Sequence, residues 1–174
     1  MSTPLAAASI QIRTARRADL PGIVAIYNQS IPSGRSTADL TPVSVADRVA
    51  WFEQHEPARH PIFVAEVGGR LAGWCSLSAY RPGRQALRFT AEISYYVESG
   101  FQRRGVGSTL VGHALRACPQ LGIKNVFAIL LDRNTASRAL LEKQGFTRWG
   151  YLPRVADFNG QECGQYYYGL RIPE

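Results

Sequence analysis

The stretch 90–115 constrains the fold of this chain most, because it passes from a strand pattern through a glycine-rich loop into a helix pattern. Thr90–Val97 is rich in β-branched and aromatic residues, which predicts a strand. Residues 98–104 predict a tight loop. From Gly105 onward apolar residues recur at the spacing of an amphipathic helix. The sequence therefore predicts a strand, a tight glycine-rich loop and a helix in direct succession.

The start of this helix predicts a site for an anion. Backbone N–H groups there have no partner inside the helix, namely those of Gly105, Val106, Gly107 and Ser108. A bound anion would gain hydrogen bonds and the positive end of the helix dipole. Gly105 and Gly107 let a ligand approach the backbone closely. Arg103 and Arg104 add positive charge, so the sequence predicts a phosphate or pyrophosphate site.

Two common phosphate-binding motifs fail on particular residues. Gly100 and Gly105 have the spacing of a P-loop, but Lys and Ser or Thr do not follow. A dinucleotide fingerprint would need a glycine where Leu110 stands. Residues 102–107 instead resemble the Q/R-x-x-G-x-G signature of the GNAT superfamily of N-acetyltransferases, where it holds the pyrophosphate of acetyl-CoA. The alternative is an ordinary glycine-rich turn before a helix.

Length and charge bound the number of domains and the class of partner. A chain of 174 residues predicts one domain, over residues 10–172, with residues 1–9 as a flexible N-terminus. The net charge of +7 is compatible with nucleic acid, but the basic residues are scattered, with no run longer than two. We therefore attribute the charge to a surface that attracts a small anionic ligand and expect no nucleic-acid partner.

The cysteine, histidine and hydropathy patterns argue against a disulfide-bonded, metal-binding, membrane-spanning or secreted protein. Cys75, Cys118 and Cys163 are odd in number and form no C-x-x-C, which argues against disulfides or zinc and favours a reducing cytoplasm. The three histidines show no metal-ligand spacing, so no metal is expected. No apolar run approaches ~20 residues, so no membrane span is expected. Residues 1–9 lack the pattern of a signal peptide.

The remaining patterns predict a mixed α/β sheet with helices on both faces. Strands are predicted over 10–14, 62–67, 71–78, 125–131, 147–152 and 165–172, and further helices after Asp19 and over 45–54 and 136–144. Gly68-Gly69 predicts a hairpin turn. The order β-α-α-β-β-β-α-β-α-β-β resembles the acyl-CoA N-acyltransferase fold of the GNAT superfamily across nearly the whole chain.

Short motifs resemble one branch of that superfamily, the phosphinothricin and methionine sulfoximine acetyltransferases. They lie at 12–15, 26–28, 51–52, 64–66, 90–94, 134–137 and 142–146, and their order and spacing together carry the resemblance. The resemblance implies a homodimer that moves the acetyl group of acetyl-CoA to the α-amino group of an amino acid or analogue. Two alternatives remain open: an acetyltransferase for a protein or peptide amine, and a non-catalytic acyl-CoA-binding module.

Glu92 is the candidate catalytic base. An amine is mostly protonated at pH 7, and it must lose a proton before it can attack a thioester. Glu92 lies in an otherwise apolar and aromatic strand, where burial would raise its pKa. Five residues of strand separate Glu92 from Val97, roughly 16 Å, which is comparable to an extended pantetheine arm. The alternative is a structural carboxylate paired with Arg81, Arg84 or Arg88.

The resemblance assigns further residues to the cofactor and the substrate. Cofactor contacts are implied for the backbone of Tyr95, Tyr96 and Val97, for 103–108, and for Asn134, which alternatively caps a helix. Tyr80 and Arg81 stand where the family has an aromatic–arginine pair near the substrate, and an arginine suits a carboxylate. Leu141 stands where relatives often carry Tyr or His to protonate the departing thiolate.

Overall fold

The computed structural model of the chain describes residues 9–173, so most of the predicted flexible N-terminus lies outside the described residues. Seven strands are present: β1 Ile10–Thr14, β2 Ile62–Val67, β3 Arg70–Ala79, β4 Thr90–Val97, β5 Asn125–Leu131, β6 Thr147–Phe158 and β7 Gln161–Arg171. The α-helices are α1 Leu20–Ser30, α2 Val45–Glu53, α3 Val106–Ala117 and α4 Thr135–Lys143. The predicted order of elements is confirmed.

All seven strands form one sheet, in the order β1-β2-β3-β4-β5-β7-β6. Only β4 and β5 run parallel, which gives the mixed sheet that the sequence predicts. Helix α1 packs through Ile23 and Ile26 against Val64 and Trp74 on one face of the sheet. Helices α3 and α4 contribute to the hydrophobic cluster on the opposite face. The central strands β2, β3 and β4 are therefore covered by a buried hydrophobic cluster on each face.

The pairing of β4 with β5 ends early, and this opens the sheet. The two strands pair only over three positions, from Thr90 opposite Asn125 to Glu92 opposite Phe127. Beyond them β4 stays paired with β3 as far as Val97, and β5 stays paired with β7 as far as Leu131. The edge of β4 that faces β5 therefore carries backbone groups without a strand partner, next to the start of α3.

Two local predictions differ from the structure. Strands β6 and β7 continue to a tight turn at Asn159-Gly160, so they are longer than their apolar patterns indicate. Asp19 stands at the N-cap of α1, as predicted, but makes no capping hydrogen bond. Its carboxylate instead accepts hydrogen bonds from the Arg13 guanidinium at 2.7 and 2.8 Å. One of these oxygens also accepts a hydrogen bond from the Arg16 N–H at 2.6 Å, so the carboxylate is bonded to β1 and to the turn before α1 and does not cap α1.

Several expected features can be compared with the described part of the chain. Cys75, Cys118 and Cys163 are buried and are not joined by disulfides. Within residues 9–173, no three His, Cys, Asp or Glu side chains gather as metal ligands would. Among the helices described there, none has both the length and the apolar character to cross a membrane.

Candidate active site

A cavity of about 530 Å³ lies where β4 and β5 separate. Its walls include Ile93–Val97 of β4, Ala128–Leu130 of β5, the start of α3 and the start of α4. We call it the larger cavity. Its floor is apolar, with Ile93, Ala128 and Leu130 in the core. The predicted cofactor residues Tyr95, Tyr96, Val97, Arg103, Gly105, Val106, Gly107, Ser108 and Asn134 all line it.

The start of α3 offers unsatisfied backbone donors to this cavity. Gly105 is the N-cap residue, with φ of +83°, and it has no side chain to cap the helix. The helical bonding begins with the Thr109 N–H on the Gly105 carbonyl at 2.9 Å. The N–H groups of Val106, Gly107 and Ser108 therefore have no intrahelical partner. With Arg103 in the same wall, the arrangement suits an anion.

Gly105 and Gly107 are suited to glycine for different reasons. A Cβ atom on Gly107 would lie 3.0 Å from the Leu140 side chain, so packing of α3 against α4 is a further reason for glycine there. A Cβ atom on Gly105 would meet nothing within 4 Å, and its positive φ is the constraint. Arg104 lies over the Phe101 ring and is not part of the cavity wall.

The side chains of β4 point alternately to the two faces of the sheet. The Tyr95 hydroxyl forms a hydrogen bond with the Ser137 hydroxyl of α4. The Tyr96 ring lies on the opposite face, against Tyr27 and Trp74. With the side chains anchored on both faces, the unpaired backbone edge of β4 is held rigidly and can pair with an extended ligand as a strand would.

Asn134 has the capping role that the sequence left as an alternative. Its Oδ1 accepts a hydrogen bond from the Ser137 N–H at 3.1 Å, at the start of α4. Its Nδ2 makes no protein hydrogen bond within the described residues and remains available to a ligand in the larger cavity. Leu141, two turns after Asn134 along α4, is fully buried in the core and carries no exchangeable proton.

A second cavity, of about 290 Å³, lies on the α1–α2 face of the sheet. We call it the smaller cavity. Its walls combine aromatic and aliphatic side chains with polar and charged ones: Ile23, Val24, Tyr27, Arg48, Trp51, Trp74, Ser76, Ser78, Glu92, Ser94 and Tyr96. Ser94 and Tyr96 line both cavities. The two cavities therefore meet at β4, two residues beyond Glu92.

Glu92 points into the smaller cavity without a partner. Within the described part of the chain its carboxylate makes no hydrogen bond or ion pair, and burial raises its pKa. Two of the three arginines proposed as structural partners pack over aromatic rings instead. Arg81 packs over Tyr80, and Arg88 over Phe89. The structure therefore shows no ion pair between Glu92 and any of them, and this pairing was the alternative to a functional carboxylate.

The smaller cavity also contains a cationic side chain, Arg48, which the sequence analysis did not identify as a site residue. Its guanidinium lies 4.7 Å from the centre of the Tyr27 ring and 3.3 Å from an Asp39 oxygen. Arg48 is the sole cationic side chain among the described residues that line this cavity. Tyr80 and Arg81 line neither cavity. The Tyr80 ring instead packs edge-on against Phe127, 4.7 Å between centres.

Comparison with known proteins agrees with this geometry. The model of the Acetyltransferase (GNAT) family matches residues 22–146. YwnH of Bacillus subtilis (strain 168), by name a candidate phosphinothricin acetyltransferase, is 42% identical over 92% of this chain and 95% of its own. The L-methionine sulfoximine/L-methionine sulfone acetyltransferase of Pseudomonas aeruginosa is 34% identical over 91% of this chain and 90% of its own.

A solved structure extends the agreement to the whole fold. The crystal structure of a GNAT superfamily phosphinothricin acetyltransferase from Sinorhizobium meliloti, in complex with acetyl-CoA, is similar with a TM-score of 0.87 and 27% identity. The match covers 94% of this chain and 88% of that one. The chain belongs to the GNAT family of acetyltransferases and is an acetyl-CoA-dependent N-acetyltransferase.

Proposed function

We propose that this enzyme acetylates the amino group of a small amino acid or amino-acid analogue. The observation that carries the proposal is the meeting of two cavities at Ser94 and Tyr96. The larger cavity ends in an anion site at the start of α3, and the smaller one contains the unpaired Glu92. A thioester that reaches β4 from one side would meet an amine from the other.

The proposed cofactor position follows from the groups that line the larger cavity. The N–H groups of 106–108 and the Arg103 side chain bind the pyrophosphate of acetyl-CoA. The pantetheine arm pairs with the free backbone edge of Tyr95, Tyr96 and Val97, as an added strand would. The Asn134 amide remains available to the cofactor. Arg104 contributes long-range charge, since its side chain lies over Phe101.

The proposed chemistry is direct transfer with Glu92 as the base. A carboxylate with a pKa raised by burial is a better match to an amine at neutral pH than an exposed one. The neutral amine attacks the thioester carbonyl, and the thiolate leaves. Since Leu141 cannot donate a proton, the thiolate takes up the proton that the nitrogen releases, through solvent or Glu92.

The proposed acceptor is zwitterionic because of the charges in the smaller cavity. Glu92 suits an ammonium group, and Arg48 suits a carboxylate, for which it still has free N–H donors. Aromatic walls formed by Trp51, Trp74 and Tyr96 suit a short apolar side chain. Phosphinothricin and methionine sulfoximine, the compounds in the relatives' names, are amino-acid analogues of this kind. Arg81 remains a predicted substrate contact, although Arg48 lines the cavity.

Two other functions fit the observations less well. A protein or peptide amine would need an open groove, whereas a cavity of about 290 Å³ is at the lower end of the range for small-molecule pockets. A non-catalytic acyl-CoA-binding module would not need a second cavity with an unpaired carboxylate.

The test is release of CoA thiol from acetyl-CoA with a panel of single amines. We expect turnover with α-amino acids or analogues that carry a free carboxylate, because Arg48 then has a partner. The matched controls are the same compounds as methyl esters, which keep the amine and lose the anionic group. Equal rates with acids and esters would contradict the zwitterionic acceptor. Turnover with peptides alone would favour an acetyltransferase for a protein or peptide amine.

We propose further that the enzyme acts in the cytoplasm as a homodimer, without nucleic acid or membrane. The triplet Tyr166-Tyr167-Tyr168 lies in β7, between two strands, so it is not an interface by itself. The support is β6, an edge strand with large exposed apolar side chains: Trp149, Tyr151, Leu152 and Val155. Natural proteins seldom leave an edge strand with several large apolar side chains exposed to solvent.

Light scattering at micromolar concentration is expected to give the mass of two chains. Leu152→Glu with Val155→Glu places charges in the proposed interface and is expected to give the mass of one chain. The matched control is Leu40→Glu, which alters an exposed leucine in the loop between α1 and α2. A monomeric wild type would contradict the homodimer.

A further inference from the structure

The neutral His55 ring is held in one tautomer by its two hydrogen-bond neighbours. Its Nδ1 lies 2.7 Å from the Trp51 carbonyl oxygen. A carbonyl only accepts hydrogen bonds, so Nδ1 carries the proton in the neutral ring. The Nε2 atom therefore has a lone pair, and it lies 3.0 Å from the Ser78 Oγ. The Ser78 hydroxyl must donate its proton to His55.

Ser78 connects this histidine to the smaller cavity. On β3 it is the direct register partner of Glu92 on β4, so both side chains point to the same face of the sheet. The Cβ atoms of such cross-strand partners are about 4.5–5.5 Å apart. Both residues line the smaller cavity. Since the Ser78 proton points to His55, the lone pairs of its oxygen remain available to a donor inside the cavity.

The charges around His55 favour a neutral ring that can accept a proton. Burial lowers its pKa, the hydrogen bond to the Trp51 carbonyl raises it by less, and the charge of the nearby His60 lowers it further. The Trp51 ring packs edge-on against it, 4.8 Å between centres. The anionic Glu92 lies on the far side of Ser78 and would stabilise an imidazolium once formed. At pH 7 the ring is therefore an acceptor.

We propose that Ser78 and His55 form a proton relay that takes the first proton from the substrate ammonium group. The inference rests on the proposed function, because it needs an amine in the smaller cavity. The ammonium donates one N–H to Glu92 and another to Ser78 Oγ. As the second N–H proton moves to Ser78 Oγ, the hydroxyl proton of Ser78 moves to His55 Nε2. The amine becomes neutral, Ser78 is unchanged and His55 becomes an imidazolium.

The proton balance assigns different steps to the two acceptors. The nitrogen loses two protons on its way from ammonium to amide. The relay removes the first, which His55 returns to solvent. Glu92 accepts the second while the C–N bond forms and the C–S bond breaks, and this proton ends on the CoA thiolate. The sum is one amide, one CoA thiol and one proton in solution.

The kinetic test compares kcat/KM across pH for wild type, Ser78→Ala and His55→Gln. At pH 7 we expect both variants to lose on the order of tenfold, less than the 10²–10⁴ of a direct base. The loss should shrink as pH rises above the pKa of the amine, because the substrate then arrives already neutral. Ser78→Thr, which keeps a hydroxyl, should recover most of the activity that Ser78→Ala loses. His60→Gln, which alters a neighbouring histidine outside the relay, should follow the wild-type profile. Melting temperatures of all variants control for stability.

Nitrogen NMR of the free enzyme tests the direction of the relay without substrate. We expect His55 to be protonated at Nδ1 and unprotonated at Nε2, with an Nε2 signal that shifts in Ser78→Ala. Protonation at Nε2, or a kinetic loss that is absent or equal at all pH values, would overturn the relay alone. A wild type that acetylates no amine would remove the proposed function and the relay with it.

Discussion

Replacing Glu92 by glutamine is expected to lower kcat by about 10²–10⁴, the usual contribution of a general base. Glutamine keeps the shape of the side chain and some hydrogen bonding but cannot accept the proton. Acetyl-CoA affinity should be nearly unchanged, because Glu92 lines the smaller cavity and not the larger one. The wild-type rate should fall with decreasing pH, and the fall should begin at a higher pH than for an exposed glutamate, since burial raises the pKa of Glu92.

The matched control is Glu66→Gln on strand β2, which is separated from β4 by β3. Its carboxylate is bonded to Arg13 and lies outside both cavities. This variant should lose some stability and little turnover, whereas Glu92→Gln should lose turnover and little stability. If Glu92→Gln turned over within a few-fold of wild type, Glu92 would not be an essential base. The pH–rate profile, the melting temperature and the cofactor affinity separate these outcomes.

Replacing Gly105 by aspartate is expected to weaken acetyl-CoA binding by about 10- to 100-fold, or about 1.4–2.8 kcal/mol. The side chain would stand in open space at the N-cap of α3. Its carboxylate could cap the free N–H groups that we assign to the pyrophosphate, and its charge would repel the anion. Calorimetry with acetyl-CoA measures the loss directly.

Gly105→Asn is the matched control for the backbone. Asparagine has nearly the same shape as aspartate and also tolerates the positive φ of +83° at this position, but it is neutral. The difference between the two variants therefore reports the charge alone. Equal affinity of Asn and Asp variants for acetyl-CoA would contradict an anion site at the start of α3.

The fold was accessible from sequence because its signals are local. The hairpin at Gly68-Gly69, the alternation in β4 and the helical spacing after Gly105 each lie within a short window. The lengths of β6 and β7 were not accessible, because residues 153–158 and 161–164, which continue the strands to Asn159-Gly160, show no regular alternation of apolar and polar residues and include Pro153. Pairing between long strands holds such residues in extended form without any apolar pattern.

The pyrophosphate site and the smaller cavity also differ in how far they could be predicted from the sequence. The predicted pyrophosphate residues are contiguous, from Arg103 to Ser108, so one motif shows them together. The walls of the smaller cavity come from α1, α2, β3 and β4, and only the folded sheet brings them together. One signal was present but unused: Arg48, Trp51 and His55 are spaced by three and four residues, which places them on one face of α2 and its end.

The most direct test of the account is a crystal structure of the Glu92→Gln variant with acetyl-CoA and the best amine from the panel. We predict the pyrophosphate on the N–H groups of 106–108, and the acetyl group beside Ser94 where the two cavities meet. The amine nitrogen should lie within hydrogen-bonding distance of residue 92, and the carboxylate near Arg48. An amine bound outside the smaller cavity, or a cofactor away from the start of α3, would contradict transfer across β4.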